Sequence, residues 1–572
     1  MRTIHLTRWW RMWHPGPQRL QNAGPRLGQE HMAPQAGRGH GLEPSHAGRR
    51  SEREDEECTV CERDASRVAE ERRTARTMAG AVAIGLLVLS GCNVGGRYVA
   101  PALPPPAAFK EGSPAAYGEA PPGTWQPAQP QDAVLKGKWW EMFDEPELNA
   151  LEDQVNINNQ NIAQYFQNFM AARAQVSEAH AGAYPTVTAN PALSKTAGGA
   201  IAASVTNGVR SSSDYSLPID VSWEPDLWGR IRNTVREYQA AAQVSAADLE
   251  NERLTEEADL AEYYFELRGQ DALQDLYNRT IEADQKSLDL TRTLFDVGID
   301  SAESVAEADV TLKNAEATAV GIASNRALYE HAIATLIGQP ASTFSMPVKV
   351  LTTPVPAIPV GVPSQLLQRR PDIAAAERTV AQANAIIGIE KAAYYPTVSL
   401  TGSAGLQSSS IAKLLSVPAL FWSLGASAVQ TIFDAGLRNA TVAQYTATYN
   451  ADVAAYKQTV LTAFQQVEDY IAVLRVTSQQ IAKQDEAAQA AQRYVDLATT
   501  RYQTGLDPYL DVITAQTTLL SDQQTLTTLR VSEITAAVQL IQALGGGWDL
   551  TQLPTPPQGT AKEVARPLAK TP

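Results

Sequence analysis

The residues best suited to do chemistry in this 572-residue chain are a few thiols and carboxylates. Cys92 is the strongest candidate. It follows Leu89-Ser90-Gly91 at the end of an uncharged apolar stretch that begins at Met78. A thiol placed there can carry a lipid on its sulfur, and small residues before it let a peptidase reach the bond it cuts. Cys58 and Cys61 form a CxxC, but a zinc site needs four ligands and no second pair follows at a suitable spacing. Asp300 and Asp507 each stand two residues after a glycine, Gly298 and Gly505, and Asp511 lies six residues past Gly505. His180 and His331 are the only histidines after residue 77, and neither adjoins a nucleophile or a ligand cluster. No Gly-rich phosphate loop stands between a strand and a helix. The sequence therefore predicts no catalytic residue, no cofactor and no resident metal.

The elements that must position these groups begin with a front unlike the rest. Residues 1–77 hold 14 Arg against 11 acids, five of the seven histidines and no apolar periodicity. They read as a disordered or spurious extension. Residues 78–91 have the shape of a secretory signal, too short to span a bilayer, with Arg72, Arg73 and Arg76 just before them. With Met78 as the start that basic region is lost, whereas an upstream start such as Val68 keeps it. Leu89-Ser90-Gly91-Cys92 resembles the bacterial lipobox, and Asn93 in place of Asp resembles lipoproteins sent to the outer membrane. A Pro/Ala-rich tract, 92–131, follows as an extended tether. A net charge of −15 and a pI near 5.1 argue against a nucleic-acid partner. No apolar run reaches the roughly 18–20 residues of a membrane-spanning helix.

The body is a duplication. Residues 292–310 and 499–517 align with Gly298 on Gly505 and Asp300 on Asp507, each 207 apart. Gly229 and Gly436 differ by the same step, as do Gly338 and Gly545. The repeats run over 132–345 and 346–548, leaving 549–572 as a flexible tail. Each repeat predicts the same order. A helix comes first, over 147–181 and again over 372–393. Period-two stretches follow, clearest in Tyr215-Ser-Leu217-Pro-Ile219-Asp-Val221-Ser-Trp223. Pro218 counts against a central strand, because it cannot donate to a ladder. Val187/Ala189, Val398/Leu400 and the run from Phe421 to Phe433 are weaker strand partners. Long helical patterns come next, at 229–296 and 436–503, each reaching roughly 100 Å. After a tight turn, a shorter helix runs to about 338 or 546. Gly298 and Gly505 suit left-handed helix ends. Asp507 is expected to cap the next helix with Pro508 at its first position, and Asp300 with Glu303 to form a capping-box variant.

Helices this long must pack side by side along their length. Four strands per chain are too few for a barrel of about eight, and inside a membrane every strand edge must be paired. Closure needs further chains, and three would supply twelve strands.

These features resemble the TolC-like outer membrane efflux proteins, in particular their NodT/OprM-like lipoprotein branch. The resemblance covers about Cys92 to Trp548. It rests on Trp139-Trp140 with Phe143, Pro363-Ser364 to Leu367, Arg369-Arg370-Pro371-Asp372-Ile373, Tyr395-Pro396, Phe433-Asp434-Ala435-Gly436, and Tyr502 to Gln516. It implies a mainly α homotrimer with a long-helix α-barrel, an equatorial domain and a twelve-stranded transmembrane β-barrel. Such a trimer is a passive exit duct working with a periplasmic adaptor and an inner-membrane RND-type transporter. The turns at Gly298, Asp300, Gly505 and Asp507 would be the adaptor-docking tips, and Asp511 would narrow the periplasmic gate. A second gate position often carries Asp in the family, but here it is Thr514. A duct for type I protein secretion and a non-transport periplasmic coiled-coil lipoprotein remain as alternatives.

Overall fold

The computed structural model describes residues 93–102, 104–106, 109–111, 137–197, 211–358 and 369–548. The expectations for 1–77, for the signal at 78–91, for acylation of Cys92 and for the tail at 549–572 fall outside those residues.

Two very long helices dominate, α3 (Arg230–Asp296) and α6 (Leu437–Gln503). Neither contains a proline, so nothing interrupts its hydrogen-bond ladder. At 67 residues each they are about 100 Å long. Each turns back into a 35-residue partner, α4 (Ala302–Leu336) or α7 (Tyr509–Ala543). All four boundaries repeat at the 207-residue step read from the glycines.

The two repeats enter differently. In the second, a single helix, α5 (Pro371–Ala392), begins on a proline that suits the first turn. The first was expected to begin with one helix over 147–181, but the structure divides it into α1 (Pro146–Asn158) and α2 (Gln160–Ala181). Asn159 makes the break. Its Oδ1 accepts from the amides of Asn161 and Ile162, capping α2, while its Nδ2 donates to Glu256 at 2.7 Å. A side chain that bonds its own backbone competes with helix continuation.

The main core lies where α1 meets α3. Trp139, Trp140, Phe143, Tyr264 and Phe265 pack there with Leu148, Leu260 and Ile541, all nearly inaccessible. The connector after α4 is bound to the same place. Arg268, 2% exposed, donates to Glu147 at 2.6 Å, to Asp271 at 3.1 Å and to the Pro347 carbonyl at 2.6 Å. Arg326 reaches Asp271 at 2.6 Å, and Lys349 reaches Glu145 at 2.6 Å. Removing one member of such a buried set would leave a charge uncompensated.

The strands are β1 (Thr186–Ala189), β2 (Ala192–Ala197), β3 (Ser211–Trp223), β4 (Thr397–Ser408) and β5 (Leu420–Val429). They form one antiparallel sheet in which β1 and β2 both pair with β3, then β4, then β5. β1 and β2 are thus one strand broken at Asn190-Pro191, giving four strand positions. The last strand is shorter than the run to Phe433.

The objection raised by Pro218 is answered by that break. β3 is central, yet Pro218 falls between the residues paired with Ala189 and those paired with Ala192. Its carbonyl accepts from the Asn190 amide at 3.3 Å, so its missing N–H also faces the side where the neighbour is interrupted. On the other side it registers with Gly405, where a Cβ would collide with the Leu217 and Pro218 backbone.

Candidate functional site

Two regions hold the predicted functional residues, the sheet and the pair of helix–helix turns. In the sheet, the register stacks Val187 on Val221, Leu217 on Leu406, Ile219 on Ala404, and Ala404 on Trp422. Leu217, Ile219, Val221, Leu400, Leu420, Trp422 and Leu424 are exposed on this face. Alternate residues place Thr186, Asp214, Asp220, Ser403 and Gln407 on the other face. There Gln407 donates to Asp214 at 2.9 Å and Asn190 to Asp220 at 3.0 Å. One apolar and one polar face is the pattern of a strand with lipid outside and water inside.

Both turns close their long helix in the same way. At the first, Gly298 has φ +75° and donates to the Phe295 carbonyl, while Ile299 donates to Leu294. At the second, Gly505 has φ +71° and donates to Tyr502, while Leu506 donates to Arg501. This pair of bonds satisfies the last carbonyls of the helix and needs a left-handed residue, hence glycine.

The caps that follow differ from the expectation. Ser301, not Asp300, caps α4 by accepting from the Ser304 amide at 3.2 Å, and Glu303 takes no part in a capping box. Asp300 instead accepts from the Ser301 amide and the Ser304 hydroxyl, both at 2.7 Å. Its second oxygen accepts a hydrogen bond from the Tyr502 hydroxyl, from the other turn. Burial works to raise the Asp300 carboxyl, but the bonds from Tyr502, Ser304 and the Ser301 amide overcome it and hold it below its ordinary value. Burial, then the bond to Asp300, pushes the Tyr502 hydroxyl upward.

Asp507 does not cap α7 either, because Arg501 engages both its oxygens, one at 2.7 Å. α7 starts at Tyr509 with Pro508 outside it and no side-chain cap. The bidentate pair lies on the surface and holds the Asp507 carboxyl low. Asp511 sits half-buried in the first turn of α7, where its charge also supports the protonated Arg501. Thr514 is exposed and returns its hydroxyl to the Leu510 carbonyl at 2.8 Å.

Gly505, Asp300 and Asp507 thus gather, with Ile299, Tyr502 and Leu506, around an open cleft of about 720 Å³. Gly298 and Asp511 flank it in sequence. Val297, Ile299, Leu506 and Leu510 are exposed apolar residues of the turns. Beneath them Leu288, Leu312, Tyr502, Tyr509 and Val512 form a small core shared by both hairpins. Asp284 is nearly inaccessible, and burial pushes its carboxyl up to about 6.

Sequence reasoning missed Tyr502, Arg501, Ser301 and Asp284 as functional groups. Tyr502 was visible only as part of the repeated pattern, because its partner lies 202 residues away. Arg501 was legible in principle, as a cation six residues before Asp507 across a glycine turn.

Comparison with known proteins agrees with this geometry. The family model described as Outer membrane efflux protein matches residues 151–339 and 362–546. The chain is 32% identical to the antibiotic efflux pump outer membrane protein ArpC of Pseudomonas putida, covering 82% of this chain and 95% of that one. It is 31% identical to the toluene efflux pump outer membrane protein TtgC of the same species, over the same shares. Among solved structures, the outer-membrane channel OprN aligns with a TM-score of 0.72 at 28% identity, covering 80% of this chain and 100% of that chain.

Proposed function

The chain belongs to the outer membrane efflux protein family, and from that premise we propose how it builds its channel and which residues work it. It is an outer-membrane channel of an efflux pump, with the TolC-like fold, extending into the periplasm. The working form is a homotrimer. One observation carries this: among the described residues, a sheet of four strand positions with one apolar face and two unpaired edges, β1/β2 and β5. Joining β5 of one copy to β1/β2 of the next leaves no open edge, and three copies make a twelve-stranded barrel. In the same trimer, helices of a neighbouring copy would cover Leu461, Val473, Val476 and Leu497, which α6 leaves exposed along its length.

The lipid reading of Cys92 supplies a second attachment to the outer membrane. At the far end, the turns at Gly298/Asp300 and Gly505/Asp507 dock a periplasmic adaptor, which links the duct to an inner-membrane RND-type transporter. Their exposed apolar residues and the open cleft support this reading. Three Asp511 carboxylates around the threefold axis narrow the closed pore. The duct contributes little choice of cargo, in keeping with relatives named for antibiotic and for toluene efflux.

Native mass spectrometry of the detergent-purified protein should read three chains, and one or two would overturn the closure. In planar bilayers Asp511→Ala should raise conductance several-fold, whereas an unchanged conductance would overturn the gate. A photo-cross-linker at Leu506 should capture the adaptor, and failure there and at Ile299 would remove the docking assignment.

A further inference from the structure

The residues that open the described chain are seated, not free. The Val94 amide donates to the Trp228 carbonyl at 3.2 Å, just before α3 begins. Asn93 Oδ1 accepts from the Gly95 amide at 3.1 Å and from Asn233 Nδ2 at 3.0 Å. Asn233 is 2% exposed, and its own Oδ1 accepts from Arg236 at 3.1 Å. The fit leaves no room for a methyl group. A Cβ on Gly388, inside α5, would lie 2.7 Å from Asn233 Nδ2 and 3.2 Å from Gly95 Cα. Glycine within a helix is unfavourable relative to alanine. Here the clearance gives it a reason.

From this point the segment runs as a strap. Asn384 donates to the Gly96 carbonyl at 3.4 Å, and the Tyr98 hydroxyl bonds Glu377. Phe109 is buried in the main core, and the amides of Lys110 and Glu111 donate to Glu468 at 2.6 and 2.9 Å. Arg475 then holds Glu111 at 2.7 Å. Tyr395 stacks on Trp228 at 4.9 Å and its neighbour Tyr394 bonds Asn439, so α3 and α6 start at one level. From Gly436 to Glu468 the chain rises about 48 Å, while residues 94–110 reach at most roughly 55 Å when extended. The strap has almost no slack.

We propose that Asn93, Asn233 and Gly388 form a seat that fixes where the chain joins the body, at Asn93 and the sheet end of the long helices. By chain connection a lipid on Cys92 would be joined one residue before this seat, and Asn93 acts through the seat as well as in the export signal. The lipid part rests on the acylation proposed above; the seat does not.

Asn93 acts here only as an acceptor, which separates its two roles. Asn93→Asp keeps both bonds and should leave the purified protein unchanged. Asn93→Ala should lower the thermal midpoint and speed tryptic cleavage after Arg97. Gly388→Ala is the sharper test, run on the full chain in detergent. Helix propensity alone would raise the midpoint, whereas the seat requires it to fall, with faster cleavage at Arg97. A raised midpoint, or unchanged cleavage at Arg97 in both alanine variants, overturns the seat. The mass of the amino-terminal peptide tests the lipid separately. A wild-type peptide without acyl mass overturns the lipid role, while Gly388→Ala still lowering the midpoint in a Cys92→Ser chain supports the seat.

Discussion

The two helix–helix turns share a backbone but not a chemistry. Both end on a left-handed glycine with the same pair of carbonyl bonds. At the first turn, the carboxylate of Asp300 is drawn into the protein and bonded by Tyr502 of the second. At the second, Asp507 stays at the surface and is held by Arg501 of its own turn. Duplication copied the aspartate, and what surrounds it divided its use. Asp300 fastens the hairpins to each other; Asp507 only closes its own turn.

The comparison can be broken most severely from beneath. Leu288, 1% exposed, packs in the core shared by both hairpins. Leu288→Ala should cost about 2–5 kcal/mol in local stability, read as faster hydrogen exchange at both turns. Exchange confined to one turn would show the hairpins to be independent.

Tyr502→Phe should come next. It leaves Asp300 short of one charge-assisted bond at a partly buried site, a loss of about 1.5–3 kcal/mol. Exchange should rise at 297–304 as well as at 502–509, and a double-mutant cycle with Asp300→Asn should give a clear coupling energy. Arg501→Ala should do much less. Its pair with Asp507 lies at the surface, so unfolding midpoints should stay close to wild type and exchange should change only around Gly505.

The last effect is in pH. Burial raises Asp284 to about 6, above an unfolded value near 3.9, so the fold prefers its protonated form. That contribution is complete below about pH 4 and is lost as pH rises through 6. Asp300 is held low and acts in the opposite sense: its contribution is present above its unfolded value and lost as pH falls through the folded one. Asp284→Asn should therefore match wild type at pH 4 and exceed it at pH 7 in thermal midpoint. A variant no more stable at pH 7 would show that the Asp284 site is hydrated.

Much of this was legible in the chain because it is local. Glycine punctuation, apolar alternation in 215–223 and uninterrupted helix formers each act over a few residues, and the 207-residue step exposed their repetition. The misreadings were capping rules overruled by better partners, one of them 202 residues away. Asp507 and Asp300 look like caps, but Arg501 and Tyr502 offer their carboxylates stronger partners. The α1–α2 break was hidden in Val155-Asn-Ile-Asn-Asn-Gln-Asn161, where several asparagines could have capped. Glu256 of α3 bonds both Asn159 and Asn161, and Asn159 alone also reaches the Leu336 carbonyl at the end of α4.

The sequence by itself determined the elements, their order, their duplication and the two faces of the sheet, because periodicity and turn chemistry are properties of neighbouring residues. Only the tertiary structure decided which carboxylate joins the turns, why proline is accepted in a central strand, and where the segment after Cys92 is seated. Those outcomes depend on side chains that meet across scores or hundreds of residues, where distance and burial choose among partners that local spacing leaves equal.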